Sequence, residues 1–123
     1  MKYNNSKVQT PNGEIFDSVK EYKRWLSLRT MQDKGQISEL DRQVKFELIP
    51  SQWEPVERYG RYGQRLKDGK KCVEAAINYI ADFTYKDKDG KLIVEDVKGV
   101  RDAKYIIKRK LMLYLKGIKI LET

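Results

Sequence analysis

The segment from Asn78 to Lys98 has the pattern of a β-hairpin. Its first run reads N-Y-I-A-D-F-T-Y, its second reads L-I-V-E-D-V-K, and the turn K-D-K-D-G-K joins them. β-Branched and aromatic runs on either side of an Asp-Gly turn are typical of two antiparallel strands. Charged residues interrupt both runs, Asp82 in the first and Asp96 and Lys98 in the second. Because Asp96 and Lys98 are two apart, they share one face of the sheet, and we predict that these carboxylates and the ammonium group converge as in a divalent-metal site.

The absence of histidine narrows the chemistry that this chain can perform. Ser-His-Asp triads, histidine general bases and most zinc sites need an imidazole. The only cysteine, Cys72, cannot form a zinc cluster or an intramolecular disulfide, and its isolation fits a reducing compartment. We therefore expect no zinc, and oxygen-ligated Mg²⁺ or Mn²⁺ remains as the metal.

Size and charge point to one soluble domain with an anionic partner. A chain of 123 residues has room for a single core. A net charge of +8 suggests an anionic partner, most commonly nucleic acid, although many basic proteins are merely soluble and basic. No apolar run has membrane-spanning length, and the polar N-terminus does not resemble a signal peptide. We expect a cytoplasmic protein that does not bind membranes.

The first half of the chain predicts a helix and a strand after a loosely ordered start (residues 1–16). Ser18 and Glu21 fit the capping box S-x-x-E, which begins a helix that closes at 34–35. Glu21 borders the buried face of this helix, so it either serves the cap or faces the interior. Residues 40–49 alternate between apolar and polar, which predicts a half-buried strand near a sheet edge. Gln43 lies on its polar face, which leaves both a surface position and a role in the site open.

Residues 51–71 differ from the rest and are predicted to form a basic loop insertion. They contain Pro55, three glycines, two tyrosines and six cations. Basic and aromatic residues on a flexible segment suit contact with phosphates and stacking on unpaired bases. The candidates for nucleic-acid contact are Arg58, Arg61 and Arg65. A solvated insertion without a binding role explains the composition equally well.

The second half predicts a central strand, a helix and a last short strand. The hairpin extends from about residue 72 to 98, and its second strand has apolar residues on both faces, as in a strand that is covered on both sides. Residues 103–116 have helical spacing, and residues 118–121 read as a strand. The resulting order, αβββαβ, predicts an α/β (α+β) fold in which helices flank a central mixed sheet. One cationic stripe lies beside Lys98 and either binds nucleic-acid phosphates or is a solvated helix face, and its position beside Lys98 favours the first: Arg101, Lys104 and Lys108.

This order and these residues resemble the PD-(D/E)XK nuclease superfamily, whose restriction-endonuclease-like core is an αβββαβ unit. The D-x-K element is Asp96-Val97-Lys98, the first acidic position is Asp82, and Ala81 replaces the proline of the motif. Five segments together resemble a family of small phage and prophage nucleases, usually described either as uncharacterised or as recombination endonucleases: F-D-S-x-x-E, R-Q-V-K-F-E-L, Y-I-A-D-F-T-Y, V-E-D-V-K-G and K-R-K-L. A glutamate before the first strand, here Glu21, is typical of the branch that resembles Holliday junction resolvases.

The resemblance implies a role for each candidate. Asp82 and Asp96 would hold Mg²⁺, for which Mn²⁺ substitutes, and Glu21 would complete the metal shell directly or through water. Lys98 would orient or deprotonate the attacking water, or stabilise the scissile phosphate. Gln43 is an accessory candidate. Glu95 points away from Asp96, so a structural charge is favoured over an accessory role.

We therefore expect a metal-dependent DNA endonuclease that acts on branched recombination intermediates of a phage or prophage, in the host cytoplasm. Two coordinated cuts in a junction would require a homodimer, formed through the C-terminal helix or the edge strand. Two alternatives remain open at this stage. One is a nicking, flap or restriction-like nuclease with the same site, and the other is a DNA-binding module without catalysis.

Overall fold

The structure is a computed structural model that describes residues 7–123. Its elements, in chain order, are β1 (Val8–Gln9), β2 (Ile15–Phe16), α1 (Val19–Asp33), β3 (Ser38–Ile49), β4 (Gln52–Tyr59), β5 (Arg65–Glu74), β6 (Ile77–Lys86), β7 (Leu92–Asp96), α2 (Ala103–Lys116) and β8 (Leu121–Glu122). Within residues 7–123, neither helix is long and apolar enough to cross a bilayer.

The central sheet has four strands in the order β3-β6-β7-β8. The strands β3, β6 and β7 pair antiparallel, whereas β7 and β8 pair parallel. Together with α1 and α2 they form the predicted αβββαβ core with a mixed sheet, so the fold class is confirmed. β3 lies at the sheet edge and β7 lies inside it, as the patterns of their residues predicted.

Local signals set the helix ends. Ser18 is the N-cap of α1, and its side chain accepts a hydrogen bond from the backbone N–H of Glu21. Asp102 caps α2 in the same way. Gly117 ends α2 with φ of 65°, a left-handed conformation that costs glycine little. The predicted bounds of α2, 103–116, are confirmed.

Each helix packs on its own apolar cluster. The cluster at α2 contains Met112, Tyr105 and the β7 residue Val94, whereas the cluster at α1 contains Leu28 and, partly buried, Ile93 of β7. Adjacent residues of β7 thus serve the two clusters, which is what apolar residues on both faces of that strand predicted.

The prediction of a loop over residues 51–71 was wrong, because this segment forms the antiparallel strands β4 and β5. We call this hairpin (residues 52–74) the arm. Both strands are exposed almost throughout, and within residues 7–123 neither packs extensively on another helix or strand. Because neither strand of the arm has a buried apolar face, the sequence of the arm lacks the apolar–polar alternation that reveals a half-buried strand.

Three other boundaries differ from the prediction. The central hairpin begins at Ile77 and not near residue 72, because residues 65–74 belong to the arm. The last strand covers Leu121–Glu122 and not 118–121. The start of the chain is not loose over residues 8–16, where β1 pairs with β2 and Phe16 is fully buried. Residues 1–6 of that predicted start lie outside the described residues.

Candidate active site

A cavity of about 810 Å³ lies where the first turn of α1, the middle of β3 and β6, and the end of β7 meet. All four residues predicted to form the site line this cavity: Glu21, Asp82, Asp96 and Lys98. The first comes from α1, the second from β6, and the last two from the end of β7 and the residues after it. The structure therefore brings together charges that lie far apart in the sequence.

Asp82 projects from β6 with both carboxylate oxygens near protein donors. Its Oδ2 accepts a hydrogen bond of 2.8 Å from the backbone N–H of Val97, and its Oδ1 lies 3.5 Å from Nε2 of Gln43. Burial, and then the negative charge of Asp96, raise the pKa of Asp82 to about 7. Burial and the charge of Asp96 thus outweigh the hydrogen bond from Val97, which acts to lower this pKa.

Asp96 ends β7 and is almost fully buried, with 3% of its surface exposed. Its Oδ2 accepts a 2.6 Å hydrogen bond from the hydroxyl of Tyr79, and its Oδ1 forms a 3.0 Å ion pair with Nζ of Lys98. Burial, and then the hydrogen bond to Asp96, raise the pKa of the Tyr79 hydroxyl far above its ordinary value. Tyr79 therefore stays a hydrogen-bond donor that fixes one oxygen of Asp96.

Lys98 follows β7 and is held at both its backbone and its side chain. Its backbone N–H donates a 3.0 Å hydrogen bond to the carbonyl of Thr123, next to the parallel pairing of β7 and β8. Its Nζ lies 3.9 Å from the ring centre of Tyr105, a cation–π contact. The ammonium group is thus positioned between Asp96 and an aromatic face.

Glu21 faces the interior, and it also takes part in the start of α1. Its Oε2 accepts a hydrogen bond of 3.2 Å from the backbone N–H of Asp17, and only 3% of the residue is exposed. Burial is the main cause of a raised pKa at Glu21. The sequence left open whether Glu21 serves the helix cap or faces the interior, and in the structure it does both.

Gln43 lines the cavity, and it is also exposed to solvent. Its Nε2 donates to Oε1 of Glu21 at 3.2 Å and lies 3.5 Å from Oδ1 of Asp82. Its φ of 51° is left-handed, which is uncommon for a residue with a side chain. The amide of Gln43 therefore bridges two of the acidic side chains of the cavity, Glu21 and Asp82.

Glu95 lies outside this cavity, although it is fully buried. Arg24 donates two hydrogen bonds to it, of 2.6 and 2.9 Å, and the hydroxyls of Tyr85 and Thr123 donate two more, of 2.7 and 3.2 Å. Burial, and then Glu95, raise the pKa of Tyr85 to about 12. Glu95 thus has the contacts of a structural charge, not those of a ligand in the cavity.

The predicted DNA-binding residues lie in three places. Lys104 and Lys108 line a second depression of about 260 Å³ that also includes Asp96 and Lys98, so they extend the site with positive charge. Arg101 instead pairs with Glu122 at 3.0 Å. The other three lie on the arm: Arg58, Arg61 and Arg65.

The donor set suits Mg²⁺, although the described residues contain no preformed cluster of metal ligands. Across residues 7–123, no three His, Cys, Asp or Glu side chains are grouped closely enough to hold a metal ion. Mg²⁺, however, keeps several waters and is usually held by only one or two carboxylates. Asp82 and Asp96 provide two such carboxylates, and they lie close together because their chain neighbours Phe83 and Glu95 pair across β6 and β7. Burial and the neighbouring carboxylate disfavour ionisation of Asp82. The pair therefore fits Mg²⁺, with a rearrangement of the Lys98 and Gln43 contacts.

Comparison with known protein families gives a match over residues 1–119 to the family described as "Protein of unknown function (DUF1064)". No curated protein and no solved structure matches the chain. The function must therefore be argued from the site.

Proposed function

The match over residues 1–119 makes this chain a member of the DUF1064 family, and we propose that it is a Mg²⁺-dependent endonuclease that hydrolyses phosphodiester bonds in DNA. The observation that carries the proposal is the convergence of Asp82, Asp96 and Lys98 on one open cavity of a +8 protein. Buried acidic groups are expensive to maintain in a fold, and ones that face an open cavity are candidates for function.

The residues divide the work of hydrolysis among them. Asp82 and Asp96 would hold Mg²⁺, which supplies a Lewis acid for the phosphate and lowers the pKa of bound water. Lys98, which contacts Asp96 and the Tyr105 ring, would donate hydrogen bonds to the scissile phosphate or orient the attacking water. Glu21 acts through Gln43, which sets the position of the Asp82 carboxylate.

The surroundings of the cavity favour a polyanion as substrate. Lys104 and Lys108 continue the positive surface from Lys98 along the first turns of α2. A phosphate chain that crosses the cavity would meet these lysines at the next positions, where each contact adds affinity that weakens with salt. A small phosphodiester would use only the cavity.

Branched recombination intermediates are the substrate that we propose, cut by a homodimer. Two cuts in one junction need two sites, and a symmetric dimer supplies them. The helix α2 exposes several large apolar side chains, which suit a contact between copies: Ile107, Leu113, Tyr114 and Leu115.

The test is cleavage of a labelled four-way junction and of a matched linear duplex, each with Mg²⁺, Mn²⁺ or EDTA. Wild type should cut the junction faster, and only with metal. Asp96→Asn should remove the cuts while DNA binding persists. Asp89→Asn, in the exposed hairpin turn, is the matched control and should cut like wild type.

Other results would redirect the proposal. Equal rates on junction and duplex would indicate a nicking or restriction-like nuclease with the same site. Binding without cuts by wild type, with either metal, would contradict the proposed catalysis and indicate a DNA-binding module.

A further inference from the structure

The arm is a two-stranded ribbon that projects from the core with little packing of its own. All eight residues of β4 are exposed, as are eight of the ten residues of β5. An isolated two-stranded hairpin is marginally stable in water. A ribbon that buries so little apolar surface contributes little to the core, so its sequence is free to serve a ligand.

Positive charge concentrates at the tip of the arm. Residues 58–67 contain four cations and no acidic residue, whereas the acidic residues of the arm lie outside that range. Arg65 pairs with Asp68 at 2.7 Å. The tip therefore presents net positive charge, and it belongs to a chain that is itself at +8. A second copy would be repelled at this point, whereas a polyanion would be attracted.

Two tyrosines accompany these cations at the tip. Tyr62 is 84% exposed and Tyr59 is 58% exposed, unusually high fractions for aromatic side chains. The guanidinium carbon of Arg61 lies 6.0 Å from the ring centre of Tyr62, and that of Arg65 lies 5.7 Å from the ring centre of Tyr59. Each exposed ring thus has a cation beside it.

The turn of the arm holds Tyr62 outward in a defined conformation. The backbone N–H of Gly60 donates a 2.7 Å hydrogen bond to the carbonyl of Gln64, and the N–H of Tyr62 donates a 3.0 Å bond to Oε1 of Gln64. Gly63 takes a left-handed φ of 78°. A turn whose backbone is already ordered loses less entropy when it binds.

We propose that the arm tip binds unpaired bases in DNA, with Tyr62 stacking on a base while Arg58 and Arg61 contact the phosphates on either side. A protruding ring can stack on a base only where the base face is free, and paired bases in a duplex offer only their edges. The inference rests on the proposed function in taking DNA as the ligand. It adds a substrate class, namely duplex DNA that is interrupted by unpaired bases.

The test is binding measured by fluorescence anisotropy in EDTA, so that no cleavage takes part. The probes are a labelled duplex and the same duplex with a four-base bubble. Wild type should bind the bubble more tightly. Tyr62→Ala should weaken binding to the bubble by about tenfold and leave duplex binding within about twofold. Tyr62→Phe, which keeps the ring, should bind both probes like wild type.

Two arginine variants, one in the arm tip and one control on α1, test the phosphate contacts. Arg61→Gln should weaken binding to both probes and reduce the slope of log affinity against log salt by about 1. Arg29→Gln is the matched control, because Arg29 is also exposed and also lies 6.0 Å from an aromatic ring, that of Trp25 on α1. It should leave the salt slope unchanged.

Three outcomes would overturn the inference. The first is Tyr62→Ala binding the bubble as wild type does, and the second is an equal loss on both probes. The third is a change in the sedimentation of Tyr62→Ala without DNA, which would make the arm a contact between copies. If the arm variants bind normally but Asp96→Asn abolishes cleavage, only the arm inference fails. If the arm variants behave as expected and wild type never cuts DNA, only the proposed function fails.

Discussion

The charge on Asp82 should cost this protein stability, and Asp82→Asn should recover it. In the unfolded chain this carboxyl ionises near its ordinary pKa of 3.8, whereas burial and Asp96 raise its pKa to about 7 in the folded protein. Between these values the folded state binds more protons than the unfolded state. The free energy of unfolding therefore falls as pH rises from 4 to 7, and this contribution is constant at higher pH.

The size of the effect follows from the pKa. At about 1.4 kcal/mol for each pH unit, a rise from 3.8 to about 7 amounts to about 4 kcal/mol. Asp82 is only half-buried, and solvent screens its charge, so we expect about 2–4 kcal/mol. Asparagine keeps the shape and an oxygen that can accept from Val97, but it does not titrate.

The assay is urea unfolding in EDTA between pH 4 and pH 8.5, followed by circular dichroism, with equal m-values required of both proteins. Asp82→Asn should be the more stable protein by about 2–4 kcal/mol at pH 8 and equal to wild type within about 0.5 kcal/mol at pH 4. Asp89→Asn, at an exposed position, should show no such pH-dependent difference. A variant that is equally or less stable at pH 8 would refute the reasoning, because it would mean that Lys98 and the backbone already balance the charge.

Three further predictions concern the buried Arg24–Glu95 ion pair, the Tyr79 contact in the site and the proposed dimer contact of α2. Arg24→Met should lower the free energy of unfolding by about 3 kcal/mol, because it leaves the fully buried Glu95 without its cationic partner and two of its hydrogen bonds; urea unfolding measures it. Tyr79→Phe, which removes the 2.6 Å bond to Asp96, should raise the Mg²⁺ concentration for half-maximal cleavage by about tenfold. Tyr114→Ala, on the exposed face of α2, should shift sedimentation toward the monomer.

Each of these predictions has a control or a contradicting result. Arg101→Gln breaks the exposed pair with Glu122 and should cost less than about 1 kcal/mol. If Arg24→Met lowers the free energy of unfolding no more than Arg101→Gln does, the buried pair stabilises the fold no more than the exposed pair. Unchanged Mg²⁺ dependence in Tyr79→Phe would limit that hydroxyl to a structural role. A Tyr114→Ala protein that sediments like wild type would remove α2 from the proposed interface.

The parts of the fold that were predicted correctly have one buried face or two. The alternation over 40–49, the apolar runs of the central hairpin and the capped helix at 103–116 all reflect burial, and burial leaves a period in the sequence. The arm leaves none. Charges and glycines follow one another on both of its faces, so residues 51–71 have the composition of a loop although their backbone groups pair as strands.

The residues of the candidate site also divide into those that the sequence reveals and those that it does not. Asp82 and Asp96 stand out because a charge in an apolar run has no other evident purpose. Gln43 could not be assigned from alternation alone, because the polar face of β3 also holds surface residues. Only the pairing of β3 with β6, which sets Arg42 opposite Phe83 and Val44 opposite Ala81, brings Gln43 beside Asp82. Tyr79 could not be assigned either, since a tyrosine in an apolar run reads as core, and only its hydroxyl reaches Asp96.

The bent course of β3 also affects how the protein behaves in concentrated solution. β3 is an edge strand, and in the part of the chain that the structure describes no strand pairs with its outer side. A straight, flat edge of twelve residues would be a template for intermolecular pairing and aggregation. Register shifts between Ser38 and Asp41 and between Glu47 and Ile49, with left-handed residues at Glu39 and Gln43, interrupt that edge. We therefore expect the same irregularities of β3 to disfavour extension of the sheet into a fibril.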